Sequence, residues 1–193
     1  KPLLPLAALL LATAACTGAP VETAAPPPPA ATAAPVDPQA ETQRLNAFLD
    51  AAFDESIASS PETLTALGIK THYDRLDDYT DAHAERQRAL AEAQLARMKA
   101  EFDYESLSPA GQLSYRLFDN NVLRGREQFK WREHRFPIST NGSPAGSIPV
   151  FLINHHRIDN VADAEAYISR LRETERVMNE VSANVREQAE NGI

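Results

Sequence analysis

The histidines carry the side chains with the most catalytic potential here, because imidazole binds metals and transfers protons near neutral pH. The 193-residue sequence holds five: His72, His83, His134, His155 and His156. None lies in H-E-x-x-H, the helical spacing that places two imidazoles on one zinc ion. His83-Ala84-Glu85 matches the H-x-E of zinc deaminases, but those enzymes also need paired cysteines, and this chain has one cysteine. The sequence therefore predicts no catalytic residue and no metal ligand in this chain.

Three residues in the second half of the chain are candidates for a substrate cleft. Trp131, which has arginines near it in the sequence, either shapes a pocket or packs against the irregular segment around it. His155 and His156 follow an apolar run, and either one of them contacts a substrate or both are loop histidines bound to backbone groups. Adjacent side chains in a helix diverge by about 100 degrees, so we do not expect the two imidazoles to share a metal ion.

Cys16 closes an apolar N-terminal stretch and is the only cysteine. A short apolar run that follows a lysine and ends in small residues is typical of a secretory signal, and this one is too short to span a bilayer. The cysteine after two alanines resembles the lipobox of bacterial lipoproteins. We therefore predict a signal peptide over residues 1–15 and a diacylglycerol on Cys16. The alternatives are a signal peptide that merely contains a cysteine and a buried helix with a free thiol.

This interpretation places the protein in the bacterial cell envelope, anchored by lipid in the periplasm or at the outer membrane. Thr17 favours the outer membrane, because it is not the aspartate that resembles an inner-membrane retention signal. Residues 16–40 are rich in proline and alanine and precede the first aromatic residue, Phe48, so we expect a disordered linker there. Acidic and basic residues are interspersed in the remainder, the net charge is −8, and no basic block of the kind that binds nucleic acid occurs.

Hydrophobic periodicity over residues 41–193 predicts an all-α fold of several helices. Serine before proline at Ser60 and Ser108 predicts two helix starts, and Gly68 predicts the end of the first of them. The predicted helices start near Glu41, Pro61, Asp81, Pro109 and Asn160, and the last runs to about Asn191. Between Phe129 and Asn154 the periodicity fails, and prolines and glycines predict one irregular segment, with a short extended piece at Ser147–Ile153.

The same periodicity predicts which side chains face the core. They are Leu45, Phe48, Leu49, Ala52 and Phe53 on the first helix; Leu90, Leu95, Met98 and Phe102 on the third; Leu113, Leu117, Phe118, Val122 and Leu123 on the fourth; and Tyr167, Leu171, Thr174, Met178, Val181 and Val185 on the last.

Several stretches, taken in order, resemble a bacterial family called domain of unknown function 885. They are Ser60–Ile69 with Tyr73–Tyr79, Gly142–Leu152, Asp163–Leu171 and Glu190–Ile193. The similarity extends over about residues 41–193. Members of this family are often secreted lipoproteins, are longer than this chain, and resemble helical zinc metallopeptidases with H-E-x-x-H in their second half.

The resemblance implies that this chain is the N-terminal part of a helical zincin-like metallopeptidase. It implies zinc and a peptide substrate in the full-length protein, with zinc ligands outside this sequence and the C-terminal half of the same protein as partner. The expected role of the chain is one wall of a cleft, inactive alone, with Trp131, His155 and His156 as candidate substrate contacts. The alternative is a non-catalytic helical envelope lipoprotein that binds a partner.

Overall fold

The computed structural model describes residues 36–193, and this part of the chain is all-α, as predicted. It contains six α-helices, two short 3-10 turns at Tyr104–Ser106 and Arg132–His134, and no strand. The helices are α1 (Pro38–Ile57), α2 (Pro61–Ala66), α3 (Asp81–Glu101), α4 (Pro109–Phe129), α5 (Pro144–His155) and α6 (Val161–Glu190). The predicted signal peptide, Cys16 and most of the predicted linker lie outside the described residues.

Side-chain caps explain why four helices begin where the sequence predicts. Ser60 and Ser108 each precede a proline in the first helical turn, and each hydroxyl accepts a free backbone amide of its helix. Thr80 and Asn160 cap α3 and α6 in the same way. Capping is a local signal, so these starts could be predicted from neighbouring residues alone.

The two ends of the α1–α2 region depend on Asp37 and Gly68. The Asp37 carboxylate accepts the Gln39 amide across 3.0 Å, so α1 begins at Pro38 rather than at Glu41. Gly68 ends α2 with a φ of 80°, a conformation that costs a residue without a Cβ very little.

The first hydrophobic cluster lies where α1, α3 and α4 meet. Its buried members are Leu45, Leu95, Met98, Phe102 and Leu107, which confirms the predictions for Leu45 on α1 and for the C-terminal half of α3. Phe48 and Leu49 pack against the cluster and are partly buried, whereas the prediction for Phe53 is wrong, since it is 53% exposed. At the start of α4 the backbone comes very close to α1: a Cβ on Gly111 would lie 2.5 Å from the Thr42 hydroxyl oxygen. The Thr42 and Ser108 hydroxyls are themselves hydrogen-bonded at 2.9 Å, which locks the two helices together.

The second hydrophobic cluster joins α5 and α6 to the segment between α2 and α3. Its buried members are Leu76, Ile148, Leu152, Val177 and Val181. Tyr79, Phe151 and Tyr167 pack against it and are partly exposed. This cluster therefore fixes residues 69–80, which have no helix of their own, against two helices from the far end of the chain.

Residues 144–155 form α5, so the prediction of an irregular or extended segment is wrong over this range. Ile148 and Leu152, one helical turn apart, are 2% and 1% exposed, and their burial favours a helix. That gain outweighs the interior Pro149, which costs about 3 kcal/mol. The sequence did not reveal this helix because a continuous apolar run shows no period. The irregular segment shortens to residues 130–143.

The predicted core faces of α4 and α6 are only partly correct. On α4, Leu113 and Leu117 are 50% and 54% exposed, and on α6 Leu171 is 51% exposed. The buried side chains of α6 are Asp163, Arg170, Val177, Val181 and Gln188. Three of these five are polar, so a search for an apolar stripe places the inward face incorrectly.

Candidate functional site

Side chains of α6 hold the segment of residues 69–80 by donating hydrogen bonds to the backbone carbonyls of that segment. Arg170 donates to the carbonyl of Arg75 at 2.7 Å, and Arg176 donates to that of Asp77 at 3.1 Å. Farther along α6, Asn184 donates to the carbonyl of Tyr79 at 3.0 Å. The backbone of this segment is therefore rigidly positioned, although it has no regular secondary structure.

The same segment also caps α2. The Glu62 amide donates to the Asp77 carboxylate at 2.9 Å, and the Asp77 amide donates to the Glu62 carboxylate at 3.1 Å. Tyr79 donates its hydroxyl to Glu62 at 3.2 Å. Burial raises the pKa of Glu62 and also that of Tyr79. Glu62 and Asp77 thus have structural partners and are not free for acid–base chemistry.

A cleft of about 830 Å³ opens between this segment, the end of α1, the start of α3 and the middle of α6. Its volume suits a small ligand such as a short peptide. Its polar lining is charged with both signs: Glu55, His72, Arg75, Asp78, His83, Arg86, Glu173, Arg176 and Glu180.

Most charges on the cleft wall are matched by a neighbour. Arg176 forms ion pairs with Glu173 at 2.8 Å and with Glu180 at 2.7 Å. Asp78 pairs with Arg86 at 2.9 Å, and its carboxylate also accepts from the Thr80 hydroxyl. A ligand in the cleft would have to compete with these contacts in order to use those groups.

His72 and Arg75 differ from the rest of the wall. Both are exposed, both line the cleft, and neither side chain forms an ion pair or a hydrogen bond with another residue of the range 36–193. His72 is also the one non-glycine residue in that range with a positive φ, 54°. A side chain in this conformation costs roughly 1–2 kcal/mol, and such strain is often found at functional sites.

A second depression, of about 600 Å³, lies between α5, residues 137–143 and Ala66 at the end of α2. His155 lines it and stacks on Phe151 with the ring centroids 5.8 Å apart. Trp131 is 63% exposed and packs edge-on against His134. Trp131 is not among the residues that line this depression.

His156 is buried, in contrast to its neighbour His155. Its Nδ1 lies 2.9 Å from Nη1 of Arg170, and its Nε2 lies 2.9 Å from the carbonyl oxygen of Asp163. Since a guanidinium can only donate, Nδ1 must accept, and the proton of the neutral ring is then on Nε2, which donates to the carbonyl. The Tyr73 ring stacks on the imidazole with the centroids 4.1 Å apart.

Arg170 of α6 connects α2, the segment of residues 69–80 and His156 at the end of α5. It is 0% exposed, and it donates to Thr65 on α2 and to His156, besides the carbonyl of Arg75. The Tyr73 and Phe151 rings lie 4.9 and 5.3 Å from its guanidinium carbon. Its acceptors are neutral groups, so this is a buried cation stabilised by hydrogen bonds and aromatic faces.

The three predicted cleft residues are thus in different environments. His155 lines the second depression, His156 is enclosed in the Arg170 network, and Trp131 is on the surface beside His134. Their contact with a substrate stays a prediction. Sequence reasoning did not find Arg170, His72 or Arg75, because their roles depend on partners and walls distant in the chain.

The described residues do not fit a zinc ion. Within residues 36–193 no three His, Cys, Asp or Glu side chains converge as a metal site requires.

No described helix combines the length and apolar character needed to cross a membrane.

Fold and site define an all-α protein with a charged cleft and a rigid, carbonyl-anchored wall. Residues 61–193 match the family described as bacterial protein of unknown function (DUF885), and the chain belongs to that family. This confirms the family resemblance seen in the sequence motifs. Neither a curated protein nor a solved structure shows significant similarity to the chain.

Proposed function

We propose that this chain is the substrate-binding wall of an envelope lipoprotein resembling zinc-dependent peptidases, and that it binds peptides in the cleft lined by His72 and Arg75. The observation that supports this most strongly is the cleft itself. It has a volume of about 830 Å³, its backbone is fixed by α6, and its rim carries a strained histidine. The proposed role is binding, and the described side chains are assigned no step in bond cleavage.

A cleft-filling substitution tests this proposal. Ala58 lines the cleft at the end of α1, whereas Ala51 is exposed on the same helix and does not line it. Random pentapeptides are incubated with the protein expressed from its complete gene, and the retained peptides are quantified by mass spectrometry. We expect Ala58→Trp to abolish retention and Ala51→Trp to leave it unchanged. Equal retention by both variants, or none by the unmodified protein, would contradict the proposal.

The envelope location is part of the same proposal and is supported by the sequence around Cys16. If a diacylglycerol is attached there, Cys16→Ser removes labelled palmitate from the protein and moves it from the membrane to the soluble fraction. Palmitate incorporation that survives the substitution would exclude this anchor.

The alternative function is a non-catalytic lipoprotein that binds a protein partner. It is favoured by apolar side chains on the outer faces of α5 and α6: Ile153 and Val161 are each 76% exposed, and Ile168 is 48% exposed. Under this alternative, Ala58→Trp changes no phenotype of the producing cell, while Ile153→Asp reproduces the phenotype of a gene deletion. The two functions therefore predict opposite results for the same pair of variants.

A further inference from the structure

We propose that the cleft recognises a peptide by its C-terminal carboxylate, which Arg75 binds with the help of His72. This inference rests on the proposed peptide-binding function and adds the chemical group that is recognised. A guanidinium is the side chain best suited to this task, because its donors match the two oxygens of a carboxylate.

The ion pairs on the wall support this assignment. The acidic residues of the cleft would repel a carboxylate if they were free, but each of them has a partner. Glu173 and Glu180 share Arg176, and Asp78 pairs with Arg86. The fourth, Glu55, pairs with Arg97 and accepts a hydrogen bond from Gln94. Arg75 is left as the charged side chain of the described wall that has no partner, so its guanidinium is available to an anionic group of a ligand.

The backbone around Arg75 provides a rigid base for its side chain. The carbonyl of Arg75 accepts from Arg170 at 2.7 Å, and its amide donates to the carbonyl of His72 at 3.1 Å. The next residue, Leu76, is 3% exposed and belongs to the second hydrophobic cluster. The main chain is therefore fixed before a ligand arrives, so binding costs less ordering entropy.

His72 completes the subsite from the other side of the same turn. Its positive φ places a strained residue three positions before Arg75, and its carbonyl closes the turn that holds Arg75. The imidazole lines the same cleft as the guanidinium and can donate a hydrogen bond to a carboxylate oxygen. A role in binding offers a reason for keeping a histidine where glycine would be less strained.

Two matched peptide libraries test the inference. One library of random pentapeptides has free C-terminal carboxylates and the other has C-terminal amides. For the unmodified protein, we expect the amides to bind at least about tenfold more weakly, since charge-assisted hydrogen bonds are lost. Arg75→Ala should bind both libraries equally weakly, and Arg75→Lys should keep part of the preference. Arg116→Ala, an exposed arginine of α4 outside the cleft lining, should behave like the unmodified protein.

The possible outcomes separate this inference from the proposed function. If both libraries bind the unmodified protein equally, carboxylate recognition is wrong while peptide binding stands. If neither library binds, the proposed function fails and this inference fails with it. A preference that persists in Arg75→Ala, in a variant whose circular dichroism shows intact helices, overturns the assignment to Arg75.

Discussion

Arg170 and His156 form a hydrogen bond of 2.9 Å between a buried cation and a buried neutral imidazole. Arg170 is 0% exposed and His156 is 6% exposed, so water cannot substitute for either partner. Around the imidazole lie the stacked Tyr73 ring, the Tyr167 ring at nearly a right angle to it, and the Asp163 carbonyl, and Lys70 adds a nearby positive charge. Protonation of His156 would place a second proton donor against the guanidinium.

We therefore expect stability to fall as the pH drops below the ordinary pKa of histidine. Burial lowers the pKa of His156 from 6.5, and the charge of Arg170 adds to this shift. Below 6.5 the unfolded chain binds more protons at this residue than the folded chain, so the free energy of unfolding decreases until the lower, folded pKa is reached. Above pH 6.5 both states hold a neutral His156, so this residue no longer changes the free energy of unfolding with pH. Urea unfolding at pH 7.5, 6.5 and 5.5 measures it.

The matched variants are His156→Gln and His134→Gln. Glutamine can accept from Arg170 and donate to the Asp163 carbonyl without titrating, so His156→Gln should flatten the dependence. His134 is exposed beside Trp131, and its substitution should leave the slope unchanged. An unaltered slope in His156→Gln would show that other groups cause the pH dependence.

Arg170→Lys should destabilise the protein by about 2–4 kcal/mol, because several buried acceptors lose their donors at once. The donors of an ammonium all lie on one atom, whereas those of a guanidinium are spread over three nitrogens in a plane. A lysine therefore cannot reach Thr65, His156 and the Arg75 carbonyl together. Arg172 is exposed on the same helix, and Arg172→Lys should change the free energy of unfolding by less than about 0.5 kcal/mol. Thermal and urea unfolding compare the two, and similar small losses would argue against a central role for Arg170.

Two glycines of α4 should respond to alanine with opposite signs. A Cβ at position 111 would collide with the Thr42 side chain, which is held by hydrogen bonds to Ser108 and Pro38, so Gly111→Ala should cost about 1–3 kcal/mol. A Cβ at position 125 meets no atom within 4 Å, and Gly125→Ala should stabilise by roughly 0.5–1 kcal/mol through helix propensity. Urea unfolding of both variants checks the signs, and a stabilising Gly111→Ala would show that α1 and α4 are less tightly packed.

Substitutions of His72 should separate stability from binding. Glycine relieves a φ of 54° but gives the unfolded chain more freedom, so His72→Gly should be as stable as the unmodified protein or up to about 1 kcal/mol more stable. His72→Ala keeps the strain. Both lack the imidazole and should bind the carboxylate library more weakly in the retention assay. Full affinity in His72→Gly would leave the strain without a functional reason.

Local signals could be predicted from the sequence, and long-range polar contacts could not. Ser60 and Ser108 predict the starts of α2 and α4, because a helix cap involves neighbouring residues only. Arg170 gives no such signal, since two of its acceptors, Arg75 and Thr65, come from about a hundred positions earlier in the chain and an arginine is expected at the surface. The cleft could not be predicted from the sequence for the same reason, because its walls come together only when α6 packs against residues 69–80.

Three side chains of α6 bind residues 75–79 by hydrogen bonds to main-chain carbonyl oxygens. This arrangement determines which kinds of sequence change the segment can accept. A side-chain replacement at an exposed position leaves the carbonyls in place, so Asp74 and Arg75 can vary without loss of the fold. Insertion or deletion of one residue would shift every carbonyl past its donor on Arg170, Arg176 and Asn184. Natural relatives should therefore keep the length of this segment even where an exposed position such as Asp74 differs.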